Sequence, residues 1–134
     1  MEKIADLEIP SRLENINQVE TLVESLKKRY SIGESLFGNM MLAVVEAVTN
    51  AIEHGNSLDP NKSVTFRAFK CQSSIKFSVR DQGPGFNPDA LPDPTSPENR
   101  EEPDGRGVFL MKNLADDLKF FDNGSRVDMD FHLA

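Results

Sequence analysis

One cysteine, Cys71, and two histidines, His54 and His132, are the only thiol or imidazole metal ligands among these 134 residues. An internal disulfide is excluded, and no zinc-ligand spacing exists. Cations are scarce as well. Fifteen Lys and Arg stand against 22 Asp and Glu, a net charge of −7 at pH 7. Nucleic acid and anionic membrane surfaces require clustered Lys and Arg, so neither is an expected partner. Long apolar runs are missing too. The longest, Leu36 to Ile52, is interrupted by Asn39, Glu46 and Asn50, and no membrane span is expected. Met1 to Pro10 has no apolar segment of signal-peptide length, which makes the cytoplasm the expected compartment. Familiar catalytic loops are absent. There is no GxxxxGK(S/T) phosphate loop, and Gly83-Pro84-Gly85 and Gly105-Arg106-Gly107 each lack the third glycine of a dinucleotide fingerprint. No GxSxG, HExxH or protein-kinase HRD and DFG set is present either.

What remains is an ordinary globular composition, 38% hydrophobic and 28% charged. The length predicts one domain, residues 1–134, able to bury roughly two-thirds of its unfolded surface. Ala5, Leu7 and Ile9 alternate with Ile4, Asp6 and Glu8 as in a half-buried strand. Ser11 and Glu14 read as a capping box, followed at helical spacing by Leu13, Ile16, Val19, Leu22, Val23 and Leu26. A second box, Ser31 and Glu34, predicts a longer helix to about His54, with a core stripe of Met41, Val44, Val45, Val48 and Ile52. Gly55 is expected to end that helix in the left-handed conformation, and Gly38 suggests a close helix crossing. Two alternating runs, Val64/Phe66/Ala68 and Ile75/Phe77/Val79, flank a turn at Gln72-Ser73 and predict a hairpin.

From Pro84 to Pro103 the texture changes. Six of the eight prolines fall here, and residues 86 to 104 hold six acids and one base. That density excludes helix and central strand, and predicts a functional loop, a lid over about 86–104. Val108, Leu110, Met111, Leu114 and Leu118 then predict a third helix. A last hairpin over 118–133 turns at Asp122-Asn123-Gly124. The order β, α, α, β, β, lid, α, β, β predicts an α/β (α+β) two-layer sandwich: a mixed, mainly antiparallel sheet with its helices on one face.

Three local features carry chemistry. Glu46 and Asn50, four apart, share one helical face. A carboxylate beside an amide suits Mg²⁺, which keeps most of its shell as water and phosphate, and also suits proton abstraction from water or a hydroxyl. The same pair also occurs on plain solvated helix faces. Asp81-Gln82-Gly83-Pro84-Gly85 follows the second strand of the first hairpin. Its glycines permit close backbone approach to a flat ligand, and its Asp can accept from an amino group, although a simple Gly-Pro turn has the same composition. Asp104-Gly105-Arg106-Gly107-Val108 enters a helix, where free N–H groups can meet an anion or where glycine merely caps the start.

In this order, the three features resemble the Bergerat-fold ATPases, the superfamily of gyrase, the heat-shock chaperone, histidine kinases and mismatch-repair ATPases. Glu46 to Gly55 is similar to that family's N box, Asp81 to Gly85 to its first glycine box, and Gly105 to Met111 to its second. The wording Glu-Ala-Val-Thr-Asn-Ala-Ile-Glu-His-Gly most resembles the anti-sigma factor serine kinases of bacterial partner-switching systems. The resemblance spans roughly Leu7 to Leu133 and implies a Bergerat ATP-binding fold. It implies Glu46 as the catalytic group polarising the attacking oxygen and Asn50 as the Mg²⁺ ligand. Asp81 would bond the adenine amino group, and Gly83 and Gly85 would shape the purine pocket. Gly105, Arg106, Gly107 and Val108 would line the nucleotide site at the phosphate end.

The implied cofactors are ATP and Mg²⁺. The implied partners are a STAS-type anti-sigma factor antagonist, a sigma factor and a second copy of the chain. The family's last-strand Thr has Ser125 as its nearest counterpart, and no dimerisation helix pair with a phosphorylatable His is expected before the domain. His54 fits either a phosphate contact or a helix-dipole partner; His132, Cys71, Met40 and Met41 read as structural. The alternative function is a non-catalytic ATP-dependent binding module of the same fold.

Overall fold

The computed structural model describes residues 1–84 and 103–133. Five strands, β1 (Glu2–Pro10), β2 (Ser63–Lys70), β3 (Ser74–Arg80), β4 (Asp117–Phe121) and β5 (Arg126–His132), are joined with three helices, α1 (Ile16–Arg29), α2 (Glu34–Asn50) and α3 (Pro103–Leu114), in the expected order. The sheet runs β1-β2-β3-β5-β4 and every pairing in it is antiparallel, which corrects the expected mixed sheet. The cause lies in the connections. Two helices separate β1 from β2, so the chain re-enters the sheet at the end where it left, Pro10 beside Ser63. β3 and β4 do point the same way, but β5 lies between them.

Alternation places Ile9, Val64, Phe66, Ala68, Ile75, Phe77, Val127, Met129 and Phe131 on the inner side of the sheet, all buried. Phe77 sits at the centre, its ring 5.8 Å from Phe66 and 6.0 Å from Phe131. Val19, Val23 and Leu26 of α1 and Met40, Ala43, Val44, Ala47 and Val48 of α2 complete the core. Of the expected α2 stripe Val44, Val48 and Ile52 are buried, whereas Met41 and Val45 are only half-buried and Met40, Ala43 and Ala47 are buried instead. By length and composition the helical run Glu34–Gly55 passes for a membrane span. Here it is the helix that packs its small and branched residues on the sheet.

Neither expected capping box forms. A 3₁₀ turn, Leu13–Asn15, precedes α1, with Arg12 at its N-cap and no side-chain cap bond. Ser11 is buried instead, and its hydroxyl donates to the Lys62 carbonyl at 2.7 Å. At α2 the N-cap is Gly33; Ser31 takes a left-handed φ of 52° and Glu34 pairs with Lys27. A tertiary partner outweighs the local cap at Ser11, and a left-handed turn takes Ser31 out of the cap position. Gly38 is exposed with nothing within 4 Å of a Cβ added there, so no helix crosses closely at that point. The third helix starts at Pro103, two residues before the expected Gly105, and Leu118 belongs to β4 rather than to that helix. Residues 85–102, most of the expected lid, lie outside the described residues, and Pro103 and Asp104 are helical.

Because Phe77 is fully buried between two other rings, truncation to Ala should cost about 3–5 kcal/mol of unfolding free energy. Urea denaturation measures it; a loss below about 1 kcal/mol would show that this ring is not central to the core.

Candidate functional site

α2 does not stop at Asn50. It widens into one π-helical turn, Ala51–Gly55, closed by the Asn56 N–H donating to the Ala51 carbonyl at 2.8 Å. Such turns are rare and concentrate at functional sites. The expected left-handed Gly55 is not found. The chain reverses through Ser57 (φ 52°) and Leu58 (φ 59°), and Gly124 is the only glycine with positive φ among the described residues. Gly55 is needed for a different reason, which is space: a Cβ there would lie 2.3 Å from Asp81 Oδ2.

Asp81 leaves β3 with its own N–H donating to the Ser125 carbonyl at 2.8 Å, which ties it to the start of β5. Its Oδ1 accepts from the Gly83 N–H at 2.8 Å, an Asx-type turn. Gly83 in turn presses on the π turn, where a Cβ would stand 1.8 Å from the Gly55 carbonyl oxygen. Burial pushes the Asp81 carboxyl above its ordinary value, partly offset by the Gly83 N–H and by the Lys62 charge.

Asn50 and Asp81 meet on one cavity. Its walls are largely apolar, from Ala47, Ala51, Val79, Val108, Met111 and Val127, with Ser125 adding a hydroxyl. Gly107 of α3 backs onto Asn50 closely enough that a Cβ would sit 2.5 Å from Nδ2. The space is about 30 Å³, room for one or two waters. A planar heterocycle is larger than this space. One carboxylate, one amide and apolar walls form a donor set suited to an aromatic ligand carrying an amino group.

The described residues hold no cluster of three or more His, Cys, Asp or Glu arranged for a metal ion. A cation held here would take few oxygens from the chain, such as the Asn50 amide, and the rest from water or phosphate, which is the habit of Mg²⁺.

The other expected site residues are distributed as follows. Glu46 is half-buried one turn before Asn50 and is not among the residues lining the cavity. Val108 and Gly107 are buried, Val108 in the cavity wall; Gly105 and Arg106 fall in the first turn of α3. Gly85 lies outside the described residues. His54 is on the exposed side of the π turn, its Nε2 3.9 Å from Glu53 Oε2. Ser125 lines the cavity, although its hydroxyl donates to the Asp122 carbonyl at 2.8 Å.

A larger cavity, about 190 Å³, opens on the opposite face of the sheet among Arg67, Lys76, Arg80, Arg126 and Asp128. Its arginines are engaged already: Arg67 with Asp6 at 3.3 Å, Arg80 with Asp122 at 2.6 Å and Arg126 with Asp128 at 2.9 Å. Burial of Asp128 opposes its charge, but the bonds from Arg126 and Ser78 hold its carboxyl below the ordinary value. None of the motif residues lines it. Of these two cavities only the smaller is lined by motif residues, Asn50, Asp81 and Val108.

Residues 9–131 match the histidine kinase-like ATPase domain. The chain belongs to that family. Membership implies use of ATP. Serine-protein kinase RsbW of Oceanobacillus iheyensis is 23% identical over 120 residues, covering 85% of this chain and 76% of that protein. The protein of the same name from Bacillus subtilis is 23% identical over 143 residues, covering 93% and 89%. An anti-sigma F factor of Clostridium perfringens is 36% identical over 92 residues, covering 65% of this chain and 66% of that protein.

Two residues escaped the sequence reading. Asn56 is fully buried and bonded on every side, and Ser11, read as a cap, is its partner. An Asn directly after a helix-ending glycine was the available signal.

The Asp81 shift has a definite sign. A carboxyl raised in the folded state binds its proton more tightly there, so its contribution favours folding below an ordinary value near 3.8 and is lost as pH rises through the folded value. Compared with Asp81→Asn, the wild type should lose unfolding free energy as pH rises from below 3.8 through the raised folded value, and then level off. Urea titrations of both proteins at stepped pH measure this, and a difference that is flat or grows with pH contradicts the burial argument.

Proposed function

We propose that the chain is an ATP-dependent protein serine/threonine kinase that also acts as an anti-sigma factor. In this reading it phosphorylates a serine of a STAS-type anti-sigma factor antagonist and sequesters a sigma factor in a bacterial partner-switching system. The carrying observation is the meeting of Asn50 and Asp81 on one apolar-walled cavity. Support comes from relatives named as serine-protein kinases and anti-sigma factors over most of the chain.

Asp81 accepts a hydrogen bond from the adenine amino group, and Gly83 and Gly85 bring backbone against the purine. Val108 packs on the ring. Gly105, Arg106 and Gly107 line the phosphate end, Gly105 through a free N–H in the first turn of α3 and Arg106 through its charge. Asn50 would hold Mg²⁺, which would supply neutralisation of charge on the phosphate oxygens. Glu46 accepts the proton of the attacking serine hydroxyl. The serine oxygen bonds to the γ-phosphorus as its bond to the bridging oxygen breaks, and ADP leaves. A single domain over 1–134 working in the cytoplasm as a homodimer, with neither nucleic acid nor membrane as partner, completes the reading.

One observation favours a second reading. Glu46 is not in the cavity wall, so a module that binds ATP and changes partners without transferring phosphate has no conflict with the geometry. Incubation with labelled ATP and candidate antagonists, scored for label on serine, separates the two. Glu46→Ala should keep ATP affinity within about tenfold while transfer falls at least ~10²-fold. Intact transfer in the variant removes Glu46 from the chemistry, and no transfer by the wild type leaves the binding module.

A further inference from the structure

We propose that Asn56 is a positioning residue for the purine end of the site, fixing the loop Asp81–Gly83 against the end of α2. The inference deepens the reading above, because it assigns Asn56 to the same nucleotide site.

Asn56 has no solvent exposure, and its amide is used in both directions. Nδ2 donates to Ser11 Oγ at 2.8 Å and to the Ser63 carbonyl at 2.9 Å; the side-chain oxygen accepts from the Gln82 N–H at 2.7 Å. One side chain thus joins the segment after β1, the start of β2 and the loop after β3. Its backbone N–H closes the π turn on Ala51, the residue next to Asn50. The same residue therefore ends the motif that carries Asn50 and anchors the loop that carries Asp81.

The geometry at Asp81 gives the anchor its purpose. Two consecutive N–H groups are held from opposite sides: that of Asp81 by the Ser125 carbonyl, that of Gln82 by Asn56. Together they set the two peptide planes that flank the Asp81 Cα, from which its side chain projects. Without Asn56 the loop keeps the Ser125 bond and the exposed bond from the Ser63 N–H to Gln82 Oε1, both to the sheet. Only Asn56 supplies a hydrogen bond from the α2 side among the described contacts. Gly83 and Gly55 meet there with no room for a Cβ, so the loop must be held to that side for the walls to close on a ligand. Few other side chains serve. Asp lacks the two donors, Ser is too short to span three segments, and Gln carries an extra methylene into a packed interior.

The test uses three variants of the full chain and titration with N-methylanthraniloyl-ATP plus Mg²⁺. Asn56→Ala should weaken binding about tenfold, because it leaves the Gln82 N–H without its buried partner. Ser11→Ala cuts a different arm of the network; it should lower the melting temperature and leave affinity within about twofold. Asn56→Asp keeps the acceptor for Gln82 and loses both donors, so affinity should stay within about threefold of wild type while stability falls. A purely structural Asn56 gives the opposite pattern, with stability lost and affinity unchanged in Asn56→Ala, or with Ser11→Ala weakening binding equally; either result overturns the proposal. Should Asn56→Ala fail to fold, Asn56→Asp decides, and a tenfold loss in that variant is contradictory. Amide hydrogen exchange scores the anchor even if the wild type binds no nucleotide. The Gln82 amide should be protected in the wild type and in Ser11→Ala, and should exchange at least tenfold faster in a folded Asn56→Ala. An unprotected Gln82 amide in the wild type overturns the proposal, whereas absent nucleotide binding with a protected amide overturns only the ATP reading.

Discussion

The site exists because the last turn of α2 lies against the end of β3 at backbone distance. Gly55 makes room for the Asp81 carboxylate, and Gly83 makes room for the Gly55 carbonyl; a methyl group at either position would overlap its neighbour. Everything else at the site follows from that approach. With the two ends joined, Asn50 and Asp81 face one space, although 30 residues of chain separate them. α3 then closes the third side by placing Gly107 against Asn50. The approach puts a carboxylate in a partly desolvated position, which costs stability when it ionises. The π turn and the Asn56 bonds hold it there despite that cost.

The sheet supplies the rigidity. Its inner face is a continuous apolar layer centred on Phe77, so the end of β3 has a fixed address. Its outer face carries charge in compensated pairs. Arg126 lies over the Phe121 ring at 4.2 Å while its guanidinium reaches Asp128, and Arg80 reaches across to Asp122. Such pairs at half-exposed positions add modestly to stability. They also engage the three arginines that line the larger outer cavity.

Periodicity made the element order and the hairpins legible, because a period of two or 3.6 reports directly which side of a strand or helix is buried. The motif residues were legible as neighbours in sequence: Asn50 at the end of an apolar helix, Asp81 at the end of an alternating strand. What could not be read was tertiary. Ser11 and Ser31 had the spacing of caps, yet Ser11 found a better partner in Asn56 and Ser31 was needed for a turn. Gly55 looked like a conformational stop and proved to be a clearance, a distinction visible only once Asp81 is known to lie opposite. Gly38 had no such neighbour, so the same residue type meant nothing there. Asn56 was missed because its role depends on four segments that meet only in the folded chain.

A direct measurement would place the purine ring itself. In protein with protonated methyl groups on a deuterated background, nuclear Overhauser contacts from adenine protons of bound ATP identify which cavity holds the base. The account predicts contacts to methyl groups of Val79, Val108 and Met111, which wall the Asn50–Asp81 cavity. Contacts to Met1 and Thr65 on the opposite face of the sheet, with none to those three, would contradict it.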